Sequence, residues 1–316
     1  MMGRLPRIAL LGTAMAIISA CGGLPAHPSS ALQAARERSW MLAAAQSEDL
    51  LYVAESATNE VDVLAYPSGK AVGKLTGFDG LAFLCADKSG DVFIPNYGRH
   101  QILEYAHGGT SPIAKLKDGT ETPYSCALDP TSGNLAVANY ESYSQNDVAI
   151  YEHAKGSPHN HSLDQAYFCT YDPKGNLFVE GVGRGSYPGI FLSRLPKGSR
   201  IFSSIALDVT PAYPNGLQWV ANYLAIGTGT VAGPSTGDTY IYHVQIIDNV
   251  GRTIATTPLV ETGPTNGFYI AGSTAIVTGG VPPTDTKLFA YPGGGAPKKS
   301  LASNDPAGVV VSFAKH

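Results

Sequence analysis

"DPTSGNLAVANY" runs from Asp129 to Tyr140. It opens with the Asp, Pro, Ser, Gly and Asn that tight turns select and closes on an almost wholly apolar stretch. The same design stands at "DKSGDVFIPNY", Asp87 to Tyr97, and at "DPKGNLFVEGV", Asp172 to Val182. Matching apolar centres lie at Tyr52 in "LLYVAES", Ala225 in "YLAIGTG" and Ile276 in "AIVTGG". The clear copies recur about every 42 residues, a period that marks a repeat architecture. The later copies stand further apart, and loops such as "GTVAGPSTGD" absorb the difference.

Each unit keeps one internal order. A strand comes first ("GLAFLCA", "YSCALD", "YFCTYD"), then the turn, then a second strand apolar enough to be buried on both faces. A polar loop leads to a third strand that often ends in tyrosine ("QILEYA", "VAIYE", "KLFAYP"), and a glycine-rich hairpin leads to a fourth. Four antiparallel strands per forty-odd residues predict an all-β fold of propeller blades. The first unit begins at its second strand, Leu50, while the chain finishes with a spare strand, Ala307 to Phe313. Pairing the two completes a blade and removes two open sheet edges. The expectation is a six-bladed β-propeller over residues 48–316, closed by its own C-terminal strand.

Composition agrees. Charged residues are 15% of the chain, against roughly 25% in an average domain, and Gly (36) and Pro (22) supply many turns. The formal charge of −4 is scattered, with no basic stripe, so nucleic acid is not an expected partner.

The N-terminus reads separately. In "MMGRLPRIALLGTAMAIISAC", Arg4 and Arg7 precede an apolar run too short to remain across a bilayer. "ISAC" at Ile18 to Cys21 resembles the bacterial lipobox, which implies cleavage after residue 20 and lipidation of Cys21. Several acyl chains hold firmly where one does not. Gly22 does not resemble the aspartate that retains lipoproteins at the inner membrane, so the outer membrane is expected. Residues 1–20 are then a signal peptide and residues 21–47 a tether, with a short helix in "ALQAARERSWMLAAA".

The pattern of "GNL" strands followed by "VAIYE"-type strands resembles the NHL-like six-bladed propellers of secreted bacterial proteins, over residues 48 to 316. "EYAHGGTSPIAKL" and the terminal "VSFAK" look like an exported bacterial group with no assigned reaction. The resemblance implies the fold and supplies no activity.

Cys85, Cys126 and Cys169 occupy the first strands of three consecutive units and read as three buried core thiols. A disulfide between neighbours is the alternative in an oxidising compartment; it leaves one cysteine over and needs Cα atoms closer than adjacent inner strands suggest. No CxxC spacing supports a thiolate metal site.

Loops leading into the first strands carry Asp79, Asn215 and Asn266, oxygen donors at matching places that could hold a hard cation such as Ca²⁺ on the axis. "PNGL" at Pro214 to Leu217 is similar to part of the senescence-marker/gluconolactonase family, which implies a metal-binding role for Asn215; the family's Glu-Gly-Pro motif is missing. The rim offers Glu55, Asn59, Asn96, Arg99, His100, Asn139, Glu141, Glu180 and Arg184, and an outer hairpin carries His159 and His161. No catalytic set is present: no GxSxG, HExxH or P-loop occurs. The expected function is a monomeric, membrane-tethered binding or scaffold protein for a protein, glycan or small molecule. The alternatives are a divalent-cation lactonase or lyase and a structural envelope component.

Overall fold

The structure is a computed structural model that describes residues 38–140, 147–183, 189–211, 213–228, 239–260, 262–279 and 284–315. Residues 1–20, read above as an export signal, and Cys21, Glu141 and Arg184 lie outside these residues. The helical content of the described residues is three short 3-10 turns, and no helix among them is long and apolar enough to cross a membrane.

The strands form successive antiparallel meanders. The first holds β1 (Trp40–Met41), β2 (Leu50–Glu55), β3 (Glu60–Ala65) and β4 (Lys70–Leu75). The second holds β5 (Cys85–Ala86), β6 (Val92–Asn96), β7 (Gln101–Tyr105) and β8 (Pro112–Lys117), and the third β9 (Pro123–Leu128), β10 (Leu135–Asn139), β11 (Asp147–Tyr151) and β12 (His159–Ser162). The fourth holds β13 (Ala166–Tyr171), β14 (Leu177–Val182), β15 (Ile190–Leu195) and β16 (Ser203–Leu207). The fifth holds β17 (Pro214–Val220), β18 (Tyr223–Thr228), β19 (Thr239–Ile247) and β20 (Val250–Leu259). The sixth holds β21 (Thr265–Ala271), β22 (Thr274–Gly279), β23 (Asp285–Ala290) and β24 (Lys299–Ala302), and β25 (Pro306–Ser312) ends the fold.

The repeated turns form as their residues require. In each, the aspartate side chain accepts a backbone N–H two residues on: Asp87 from Ser89 at 2.7 Å, Asp129 from Thr131 at 2.8 Å, Asp172 from Lys174 at 2.9 Å. The second strands are buried on both faces. On β2, Leu50, Tyr52 and Ala54 pack toward the second meander, while Leu51 and Val53 pack toward the sixth. The hydrophobic core is accordingly a series of clusters, each lying between consecutive meanders.

The ends meet. β25 pairs antiparallel with β2, Leu50 opposite Ser312 and Tyr52 opposite Val310. The Ala314 N–H donates to Asp49 at 2.9 Å, and the His107 ring lies 2.6 Å from the Ser312 hydroxyl. These bonds close a propeller-like ring of sheets.

Two expectations are corrected. The meanders do not form six separate sheets: the described strands make five, one of them eight-stranded. The β19–β20 hairpin is unusually long and overhangs its own meander, so β20 meets β16 in parallel, Ala206 opposite Val250 and Leu207 opposite Gly251. At the axis the same two meanders touch again, where the Trp219 N–H donates to the Thr170 hydroxyl of β13 at 3.1 Å. The combined sheet is nearly a closed barrel. The second correction concerns the segment before Leu50. From Trp40 it is not a helix: β1 adds to the outer edge of β4, with Trp40 opposite Lys74, and a single 3-10 turn follows over Ala43–Gln46.

Candidate functional site

The loops leading into the inner strands and the loops joining second to third strands lie together on one face. Such loops bury N–H and C=O groups that have no sheet partner, and these need another. Side chains supply it. Asn96 accepts the Asp79 N–H at 2.8 Å, and Asn59 accepts the Gly80 N–H at 2.8 Å. Glu55 accepts the Asn304 N–H at 2.6 Å, and the Ser56 hydroxyl donates to the Asp305 carboxylate at 2.5 Å. Asn215 accepts the Thr265 hydroxyl at 2.8 Å and donates to the Thr265 carbonyl, while the Asn266 amide donates to the Pro306 carbonyl at 2.9 Å.

These clasps engage the three oxygen donors read as cation ligands, Asp79, Asn215 and Asn266, to different degrees. Asn215 is buried with its carbonyl and its amide both committed to Thr265, so it does not fit the metal that the gluconolactonase-like motif implies. Asp79 is an exposed loop residue whose backbone carries the bonding. Among the described residues no group of three or more His, Cys, Asp or Glu is placed to hold a metal ion.

The axis is filled by rings instead. Phe83, just before β5, reaches across to the inner strands of other meanders. A Cβ on Gly267 would stand 2.2 Å from its ring, and one on Gly308 would stand 3.0 Å from it. The ring also meets Phe168 edge-on at 4.6 Å between centroids and Tyr124 at 5.3 Å. Above Phe83 lies an open cleft of about 590 Å³, lined by Tyr97, Tyr124, Tyr140, Asn266 and Asp305. The tyrosines continue outward as a chain of tilted and edge-on ring contacts. Tyr124 and Tyr140 stand 5.5 Å apart, Tyr140 and Tyr167 4.9 Å, and Tyr167 and Tyr213 5.6 Å. The Tyr213 hydroxyl donates to that of Tyr167 at 2.8 Å. Burial and the neighbouring phenols push Tyr124 and Tyr167 upward, so both remain protonated. Gly80 explains how Tyr97 lies flat on the rim: any Cβ there would collide with the Tyr97 ring at 2.3 Å, and its φ of +77° suits glycine alone.

Below Phe83 a second cavity of about 310 Å³ runs between the inner strands. Its wall contains a disulfide, Cys85 to Cys126, with Cα atoms 5.6 Å apart, while Cys169 is a free buried thiol. The expectation of three free thiols fails because the cysteines are not in the same register. Cys126 faces Val137 and Cys169 faces Val179, but Cys85 faces Phe93, one step along. One step on a strand turns a side chain to the opposite face. Cys85 thus points at the third meander and Cys126 back at the second.

The remaining rim candidates do not converge. Arg99 and His100 are exposed, the His100 ring 2.6 Å from the Glu121 carbonyl. Asn139 is buried at the end of β10. Glu55 is buried, and loss of solvent pushes its carboxyl from 4.5 up to about 7. Glu180 goes further: both oxygens are buried without a hydrogen-bond partner among the described residues, and desolvation raises its carboxyl well above the usual range. His159 lies 3.6 Å from Glu152 on the exposed outer strand β12, and His161 sits 3.4 Å from the Arg200 carbonyl.

No family model matches the chain, and no curated protein matches it. Solved structures do. A chain of a nidogen/laminin complex superposes with a TM-score of 0.63 at 14% identity, covering 85% of this chain and 100% of that one. A Bacteroides caccae protein of unknown function gives 0.61 at 11% identity, covering 84% and 99%. Hydrazine synthase of Kuenenia stuttgartiensis gives 0.57 at 10% identity, covering 76% and 73%. At such identities the likeness is one of fold.

Proposed function

We propose that the chain is an exported, NHL-like six-bladed β-propeller, lipid-anchored through Cys21 at the outer membrane, that binds a ligand in its axial cleft. The eight-stranded sheet then counts as two blades fused at the rim, a reading supported by the four-strand meanders and by a separate apolar cluster between each neighbouring pair. Export is supported by the lipobox-like "ISAC" and by the Cys85–Cys126 disulfide, since such bonds persist in oxidising compartments.

The observation that carries the binding role is the cleft itself. Four aromatic side chains, Phe83, Tyr97, Tyr124 and Tyr140, line it, and Tyr97 leaves 38% of its surface in solvent. Large rings are costly to expose and are retained where something covers them. Crystallographic fragment screening of the full chain tests the role: fragments are expected to gather on Tyr97, Tyr124 and Tyr140. Fragments found only elsewhere, or none, overturn it. Mass spectrometry of the mature N-terminus tests the anchor, and an unmodified Cys21 refutes it.

A further inference from the structure

We infer that the ligand of the axial cleft is a neutral saccharide chain, its apolar C–H face against the rings of Tyr97 and Tyr140 and its hydroxyl edge against Asp305, Asn266, Ser56 and Thr122. This rests on the cleft being the binding site.

Ring spacing decides how a ligand can lie. Rings that cage a cation stand apart by the width of the ion between them. Here Tyr124, Tyr140 and Tyr167 touch one another, with centroids 4.9 to 5.6 Å apart. They leave no gap for an ion between them, but they stand at 46°, 83° and 52° to one another and only Tyr124 and Tyr140 of the three line the cleft, so a ligand rests against individual rings. An occupant with an apolar face can lie against one such ring.

The border of the cleft decides the ligand's edge. Asp305 and Ser56 present a carboxylate and a hydroxyl already bonded to each other, Thr122 adds a second hydroxyl, and the Asn266 amide is tied to Pro306. Its carbonyl oxygen has no hydrogen bond among the described residues, and Asn266 is a partly exposed residue of the cleft lining. A purely aromatic ligand would strip water from these groups and return no hydrogen bond. A pyranose ring carries an apolar C–H face and a periphery of hydroxyls, and so meets both demands.

Charge decides the rest. No lysine or arginine is among the described residues that line the cleft, whereas Asp305 is. Uronates, phosphosugars and other anions find a carboxylate there and no countercharge. The phenols of Tyr97, Tyr124 and Tyr140 line the cleft as well, and burial holds that of Tyr124 in its neutral form.

The test is calorimetric titration of the full chain with cellotriose, maltotriose and chitotriose at millimolar concentration, beside tetramethylammonium and phenol. At least one trisaccharide is expected to bind, with affinity reduced tenfold or more by Tyr140→Ala and by Tyr97→Ala and largely retained by Tyr140→Phe. Tyr97 is exposed, so its variant keeps the test available should Tyr140→Ala fail to fold. If none of the three binds, or if binding ignores both alanine variants, the saccharide assignment is overturned. If phenol or tetramethylammonium binds instead and is lost in those variants, the cleft remains a binding site with another ligand class. If fragments and all probes avoid the cleft, both readings fall together.

Discussion

Two neighbouring joints of the ring are built from nearly the same parts and end differently. Between the second and third meanders, Cys85 and Cys126 form a covalent bridge. Between the third and fourth, Cys169 stands alone. The sulfurs of Cys126 and Cys169 occupy equivalent places, 3.7 Å from the Phe93 carbonyl and 3.8 Å from the Ala136 carbonyl. The difference lies in the partner. The position equivalent to Cys85 in the third meander is Ala127, which faces Ala136 as Cys85 faces Phe93. A methyl group stands where the second sulfur would be, and Ala127 and Cys169 share one apolar cluster. One side chain therefore separates a covalent joint from one held by packing.

The largest effect should come from cutting the bridge. Closing a loop across a sequence separation of 41 residues removes about 4 kcal/mol of unfolded-state entropy in the chain-entropy account. Cys85→Ala combined with Cys126→Ala is expected to lower stability by about 3–4 kcal/mol, read as a shifted denaturation midpoint under oxidising conditions. The converse change should make the two joints alike. Ala127→Cys is expected to bond with Cys169 and raise stability by about 2 kcal/mol, less than the entropic ceiling because an engineered bridge seldom fits as well. With Cys21 replaced by serine, a free-thiol assay reading zero under denaturing, non-reducing conditions would confirm the bond, and two titratable thiols would refute the equivalence of the joints.

Smaller effects follow. Cys169→Ala in the parent chain should cost about 1 kcal/mol, the loss of one well-packed buried atom. Burial pushes the Cys169 thiol up to about 12, so iodoacetamide should leave it unmodified in the native protein and label it on unfolding. The smallest effect contrasts two buried acids at other joints, Glu55 with one N–H donor and Glu180 with none. The folded chain keeps the Glu55 proton up to about pH 7, whereas the unfolded chain releases it near 4.5. Folding then binds protons within this window, so stability falls as pH rises from about 4.5 to 7 and levels off above it. Glu55→Gln should flatten that part of the stability–pH curve; an unchanged slope would mean that Glu55 is ionised in the fold.

Much of the architecture was legible. Turn chemistry at Asp87, Asp129 and Asp172 and double-sided burial of the strands after them set the meander, and the surplus strand at the C-terminus marked the closure. The β16–β20 pairing was not legible, because it follows from how far a long hairpin overhangs. The disulfide was legible by another count. Measured back from the turn aspartates, Cys126 and Cys169 lie three residues before Asp129 and Asp172, but Cys85 lies two before Asp87. Aligning the cysteines on each other concealed that offset. The site was half visible. "IPNY" and "VANY" each offer an asparagine and a tyrosine. Attention to the oxygen donors picked Asn96 and Asn139, which lie buried at the strand ends, while Tyr97 and Tyr140 form the cleft.

Phe83 gives the molecule a bulkhead. Its ring forms part of the wall of both the upper cup and the lower chamber. The disulfide lines the chamber on one side of that ring and the tyrosines line the cup on the other, so a change of side chain at Phe83 reshapes both.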